Sequence, residues 1–252
     1  AIATNFKNDR TLPPSQPANQ STRVEVCWDT EGLRFHTNAT DVNIFSTSTK
    51  CNDPTFSQGD VLEVFVGPVA ELTEVPSWYL ELDTGASGAL WGMLAHNPLS
   101  RFQGVNQGGD TDNMGCEHVS PPSSCKSNLA GDECSTTSGL AACMFECTGK
   151  SDFVHGMSAD VTVEPTQWWT NTLKVPWAIF PASVPQNGPG GVGWKNWRLN
   201  LYRYDYGSSQ PGCSLGKPHT CEQEELSAWS SSGEGNFHLP QWFGTATLID
   251  KN

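Results

Sequence analysis

One acid stands where a strand should be apolar. In Asp60-Val-Leu-Glu-Val-Phe-Val66, two-residue alternation puts Val61, Glu63 and Phe65 on one face and Leu62, Val64 and Val66 on the other. A carboxylate held among apolar neighbours needs a partner or a ligand, and its oxygens are suited to accepting hydroxyl protons. Arg198 and Asn200 share a face of a second candidate strand, with Arg203 on the opposite one. A buried Glu63–Arg pair that ties the molecule together and a polar binding site are both open readings. Flat rings are the other resource. A pyranose has one face of C–H groups and a rim of hydroxyls, so an aromatic platform edged by polar side chains complements it. Trp168 and Trp169, adjacent after Pro165, and Trp242, on the approach to the last strand, are candidate platforms; the alternative is that they cover core or stiffen loops.

Hard cations gather oxygen ligands. Asp41, Asp83, Asp110, Asp112, Glu117, Asp132 and Glu133 supply carboxylates without the spacing of an EF-hand, and solvated acidic loops are the alternative. Catalysis finds less. The 27 acidic residues offer many formal pairs for glycoside hydrolysis and single out none, and Gly85-Ala-Ser-Gly88 lacks the nucleophile-elbow pattern. The expectation is therefore a protein that is not an enzyme.

Nine cysteines, Cys27, Cys51, Cys116, Cys125, Cys134, Cys143, Cys147, Cys213 and Cys221, include no CxxC pair. Only Cys143 and Cys147 have a short ligand-like spacing, and too little His or Cys surrounds them for zinc. Disulfides are the better account, with connectivity open and one thiol left free, capped or joined to an extracellular protein partner. They imply an oxidising compartment, hence secretion. The acceptor triplets Asn19-Gln-Ser21 and Asn38-Ala-Thr40 agree as glycosylation sites. A net charge of -13 repels phosphate backbones and anionic headgroups, which sets aside nucleic acid and acidic membrane surfaces as partners. No apolar run is long enough for membrane insertion.

The elements that must position these groups are short strands. Residues 1–20, with Pro13, Pro14 and Pro17, read as an arm. Arg23–Trp28 and Leu33–Thr37 alternate on either side of Asp29-Thr-Glu-Gly32, the signature of a hairpin. Asp60–Val66 and Trp78–Leu82 form a second expected pair around a break at Gly67-Pro68. Residues 96–150 interrupt the rhythm with five cysteines and one apolar run, Leu140–Phe145, and read as a disulfide-rich insertion outside the sheets. Strands resume at 160–164, 172–180, 196–204 and 244–249. Their number and spacing predict an all-β fold, a two-sheet antiparallel β-sandwich over residues 21–252.

Three segments in order, Asp60–Val66, Trp197-Arg-Leu-Asn-Leu-Tyr-Arg203, and Leu226-Ser-Ala-Trp-Ser with Asn236-Phe-His-Leu-Pro-Gln-Trp-Phe-Gly244, resemble the family 9 carbohydrate-binding modules and related domains. The resemblance spans about residues 21–249 and implies a sandwich that binds β-linked glucan or related cell-wall polysaccharide, with structural Ca2+. It implies a sugar clamped between two rings, which fall at Phe56 and Phe237, with Glu63 on the hydroxyls. Trp28, Trp197 and Trp229 belong to the structural part of this pattern. Related sandwiches hold haem through Met and His, so Met93 or Met157 with His155 or His238 is a further alternative, as is an extracellular structural or protein-interaction domain.

Overall fold

A computed structural model describes residues 1–9, 17–42, 44–76, 78–96, 125–126, 141–145, 147–153, 156–164, 167–180, 195–206, 225–232 and 237–249. The strands in chain order are β1 (Ile2–Ala3), β2 (Lys7–Asn8), β3 (Thr22–Trp28), β4 (Gly32–Thr40), β5 (Val61–Val69), β6 (Trp78–Gly85) and β7 (Leu90–His96). There follow β8 (Cys125–Lys126), β9 (Ala141–Phe145), β10 (Ser158–Glu164), β11 (Trp168–Pro176), β12 (Asn196–Asp205), β13 (Glu225–Ala228) and β14 (Gly244–Thr247). They build two antiparallel sheets, a five-stranded one ordered β1-β3-β4-β11-β10 and a nine-stranded one ordered β2-β13-β12-β5-β6-β7-β9-β8, with β14 paired to β12. The fold is the all-β sandwich that the alternation predicts. Among the described residues no helix is long and apolar enough to cross a membrane.

The β3–β4 hairpin closes where the sequence places it. Asp29 Oδ1 accepts the N–H groups of Glu31 and Gly32, and its Oδ2 accepts Arg34 Nε at 2.8 Å. The turn therefore satisfies its own backbone before the strands pair. Alternation then sends Val24, Leu33, Phe35, Leu173 and Val175 of the five-stranded sheet against Val64, Val66, Leu80, Leu82, Leu199 and Leu201 of the nine-stranded one. Each such side chain contributes about 1.5–3 kcal/mol by leaving water.

Three expectations about organisation change. Gly67-Pro68 is no break: β5 runs on to Val69, and the turn comes after it. Beyond Val66 the strand pairs with β12 alone, with Pro68 opposite Trp197, so the missing proline N–H is lost where only one neighbour remains. The apolar run in 96–150 lies inside the sheet, as β9, paired to β7 and flanked by β8. Cys51–Cys147 then joins the end of that stretch to the segment before β5. The arm is also built in: β1 pairs with β3 and β2 with β13, so it touches both sheets, and Ala3 and Phe6 enter the core.

Strand β5, inside the nine-stranded sheet, is buried on both faces. Along β5 only Pro68 reaches half-burial, because the segment ending at Phe243 returns over the outer face. There Phe65, Tyr79, Met93, Ala95, Tyr202, Leu226 and Ala228 pack with Phe237 and Phe243. This second layer carries the candidate site.

Candidate functional site

Strand register sets one row of side chains across four strands of the outer face. Tyr202 lies opposite Glu63, Glu63 opposite Asp83, and Asp83 opposite Trp91. One pleat along, Asn200, Phe65, Glu81 and Met93 form the parallel row. Directly opposed residues share a face, so three acids, Glu63, Glu81 and Asp83, meet between aromatic flanks.

One carboxylate oxygen from each of these three lies within 4.8 Å of the other two. All three residues are buried, Glu63 to 2% exposure. Both oxygens of Asp83 and Oε2 of Glu81 have no hydrogen-bond partner. Burial pushes each carboxyl well above the usual carboxylate range; Asp83 and then Glu81 add to the effect at Glu63, and Asp83 adds to it at Glu81. Like charges this close in a low-dielectric setting cannot all ionise uncompensated. The cluster must hold protons or a cation. His238 does not supply the charge: its Nδ1 is 2.9 Å from Tyr79 Oη and its Nε2 is 3.7 Å from Glu81 Oε2, but burial pushes its pKa down to about 4. The ring is neutral at neutral pH.

The aromatic groups beside the acids differ in what they leave free. Phe237 is buried and stacks on Tyr202 with centroids 3.8 Å apart and planes at 14°, so one of its faces is taken. Tyr202 Oη donates to the Phe237 carbonyl at 3.1 Å and accepts Asn200 Nδ2 at 2.7 Å. Phe56 and Trp91 are half-buried, edge to face at 5.8 Å and 84°. Tyr204, also half-buried, meets Phe237 edge-on at 5.1 Å. Phe56 is held from behind by Tyr206, whose Oη donates to its carbonyl at 2.5 Å.

Two polar candidates are committed to the backbone. Asn200 Nδ2 also donates to the Ser230 carbonyl at 2.7 Å, while its Oδ1 accepts the N–H groups of Leu201 and Ser230. Arg198 donates to the carbonyls of Phe243, Gln241, Leu72 and Glu74, pinning two loops. Arg203, on the opposite face as alternation predicts, reaches Asp41 at 3.0 Å and Asp205 at 3.6 Å. Among the described residues no ion pair joins Glu63 to an arginine; Arg203–Asp41 ties the two sheets instead, from β12 to the residue that follows β4.

The structure separates the remaining candidates. Trp169 is fully buried and packs with Ala39, Leu62 and Ala86, and Trp168 is half-buried beside it on β11. Both belong to the five-stranded sheet, away from the acid row. Trp242 is 48% exposed on the short turn Pro240–Trp242, where its carbonyl accepts Ser230 Oγ. Of the expected cation ligands, Asp83 is in the acid row and Asp41 forms a second buried cluster with Asp60 and Asp205. Asp110, Asp112, Glu117, Asp132 and Glu133 lie outside the described residues, as do Cys116, Cys134, Cys213, Cys221 and His155. For Cys125 and Cys143 the backbone is described, in β8 and β9. Cys51 and Cys147 are bonded, whereas Cys27 is a free, exposed thiol. Asn19 and Asn38 are both exposed.

Glu81, Trp91 and Tyr204 are the members of the face that the sequence reading passes over. Their signal was present as parity: 79, 81 and 83 share one side of β6, and 91, 93 and 95 one side of β7. Only the register shows that these sides coincide with that of Glu63.

No protein-family model matches the sequence, and no curated protein does. A solved structure from Bacteroides uniformis, provisionally described as a carbohydrate-binding protein, superimposes with a TM-score of 0.56 at 14% identity, covering 99% of this chain and 86% of that one. Such a match shows a shared fold. Two structures of a family 9 carbohydrate-binding module from Caldicellulosiruptor kristjanssonii also match. The one with cellotriose has a TM-score of 0.45 at 9% identity over 100% of this chain and 84% of that one. The one with glucose has a TM-score of 0.45 at 8% identity over 99% and 86%.

Proposed function

We propose that this is a secreted, non-catalytic carbohydrate-binding protein that recognises β-linked glucan or a related cell-wall polysaccharide on the outer face of the nine-stranded sheet. The observation that carries the reading is the half-buried Phe56–Trp91 pair standing at the end of the Glu63–Asp83 row. An aromatic edge-to-face corner offers a sugar ring an apolar platform on one side, and Tyr204 adds a second half-buried ring with a hydroxyl. Phe237 acts from beneath, by fixing Tyr202 and Tyr204, rather than as an open stacking surface. Glu63, Glu81 and Asp83 lie buried beside this platform. The fold shared with a protein described as carbohydrate-binding supports the same reading. The Cys51–Cys147 disulfide and the exposed Asn19 and Asn38 support secretion and glycosylation.

Ca2+ belongs to this reading as the ion that the sequence resemblance implies. At Asp41, Asp60 and Asp205 the guanidinium of Arg203 already supplies positive charge, and Asp60 accepts the N–H groups of Phe45 and Tyr206. That donor set fits a cation poorly.

An interaction scaffold has one observation in its favour: Glu63 is 2% exposed, too covered to meet a ligand without movement. A glycan array followed by calorimetry on calcium-loaded protein separates the two. Saturable heat with neutral β-glucan oligosaccharides supports sugar binding. No heat with any neutral oligosaccharide at millimolar concentration refutes it and leaves the scaffold.

A further inference from the structure

We propose that Glu63, Glu81 and Asp83 hold one divalent cation of the Ca2+ class beneath the outer face of the nine-stranded sheet. The proposal narrows the calcium reading to one place and does not depend on sugar binding.

Proximity is the first observation. Oxygens from three residues on two adjacent strands lie within 4.8 Å of one another. Ligands about 2.3–2.6 Å from a shared Ca2+ are separated by at most roughly twice that distance, so one ion can serve all three. The second observation is independent of proximity and concerns what these oxygens do. Asp83 is fully buried, and neither of its oxygens accepts a hydrogen bond; Glu81, 4% exposed, leaves Oε2 without one. Buried carboxylate oxygens are ordinarily satisfied, and three orphans on two residues of one cluster call for an absent partner.

The surroundings say what that partner is. Arg198 is committed to four carbonyls and Arg203 projects from the opposite face to Asp41. No Lys or Arg among the described residues forms an ion pair with any of the three acids; His238 alone approaches, at 3.7 Å from Glu81. With no lysine or arginine of the described residues paired to these acids, a bound cation is the counter-charge that their geometry accommodates. All three donors are carboxylates, which select a hard, oxygen-seeking ion over zinc or copper. The Asp41–Asp60–Asp205 cluster makes the contrast within the same molecule, since there the chain supplies its own cation.

The test uses the whole chain, stripped with EDTA and with no sugar present. Tb3+ is titrated in with excitation of the aromatic residues, Trp91 being opposite Asp83 in register, and Ca2+ is then used to displace it. The expected result is saturable emission at one ion per chain, displaced by Ca2+, and at least about tenfold weaker in both D83N and E81Q. D205N, which alters the other cluster, should bind as the wild type does. Thermal melting gives the second readout. Ca2+ should raise the wild-type midpoint and leave that of D83N in place, whereas in EDTA D83N should melt above the wild type, because an amide replaces an unpartnered buried acid. Near-ultraviolet circular dichroism confirms that the variants are folded; should D83N fail to fold, E81Q carries both readouts. The proposal is overturned by absent or unsaturable emission, by unchanged affinity in the folded variants, or by a loss confined to D205N. A chain that takes Ca2+ here and no glucan refutes the sugar reading and leaves this site standing.

Discussion

Arg203 is the side chain whose removal should cost the fold most. It is 1% exposed, with Nη2 3.0 Å from Asp41 Oδ2 and 3.6 Å from Asp205 Oδ2, while Nη1 donates to Thr22 Oγ1 at 3.3 Å. At an effective dielectric near 20 the two charge contacts are worth about 5 kcal/mol each before desolvation. Desolvation offsets most of that in the intact cluster. In Arg203→Gln it does not, because Asp41, Asp60 and Asp205 remain buried together and have lost the guanidinium that faces Asp41 and Asp205. Breaking a buried pair in this way costs about 3–5 kcal/mol, or roughly 6–20 °C in melting midpoint for a domain of this size. The loss should depend on pH. Burial, and then the charge of Asp41, push the Asp60 carboxyl well above its usual value of 3.8. The folded chain thus keeps a proton that the unfolded chain releases once the pH passes that value. This contribution to stability is complete below it and is lost as pH rises through the folded value. Without Arg203 the decline steepens, so the gap between wild type and variant should widen from pH 4 to pH 8. Urea denaturation at several pH values measures it. A loss under about 1 kcal/mol at neutral pH, or a gap that narrows as pH rises, refutes the reasoning.

Other expectations are simpler to check. Replacing Cys51 and Cys147 together by Ser opens a closure 96 residues apart in sequence and should lower stability by up to about 4–5 kcal/mol, read as a midpoint shift in urea. Cys27, free and exposed, should react with a thiol reagent in the native protein, whereas Cys51 and Cys147, joined in a disulfide, should react only after reduction; a chain whose Cys27 stays unlabelled contradicts this. Tyr202→Phe leaves the Phe237 carbonyl and Asn200 Nδ2 each short of a buried partner and should destabilise by about 1–3 kcal/mol, with no change in thiol reactivity.

How much of this could be read from the sequence follows from the range of each interaction. The β3–β4 hairpin was legible because alternation and an Asp-x-x-Gly turn are local, and Glu63 stood out as an acid in an apolar strand. Parity also placed Arg203 opposite Arg198 and Asn200. What those residues bind was not legible: Arg198 and Asn200 have the chemistry of ligand contacts, yet they donate to carbonyls 45 and 30 positions away in sequence, those of Phe243 and Ser230. Bonds to backbone leave no mark in composition. Pro68 looked like a break because proline lacks a donor, and the strand survives it because β6 has already left that side. Trp168 and Trp169 could be split into an inner and an outer ring by alternation, but nothing local says that their strand is in the other sheet. Glu81 and Trp91 needed the β5–β6–β7 register, which the turns decide.

Sugar bound at Trp91 and Phe56 would occupy the nine-stranded sheet and leave the five-stranded one untouched, so the sharpest measurement sets the two sheets against each other. Calorimetry with a neutral β-glucan oligosaccharide would be run on Trp91→Ala and on Trp168→Ala, each checked for native near-ultraviolet circular dichroism. The loss of one stacking ring is worth about 1–2 kcal/mol or more, roughly tenfold in affinity. That loss is expected in Trp91→Ala, with wild-type affinity in Trp168→Ala. The reverse result, with Trp168→Ala weakened and Trp91→Ala binding as the wild type does, would contradict it and move the site to the five-stranded sheet.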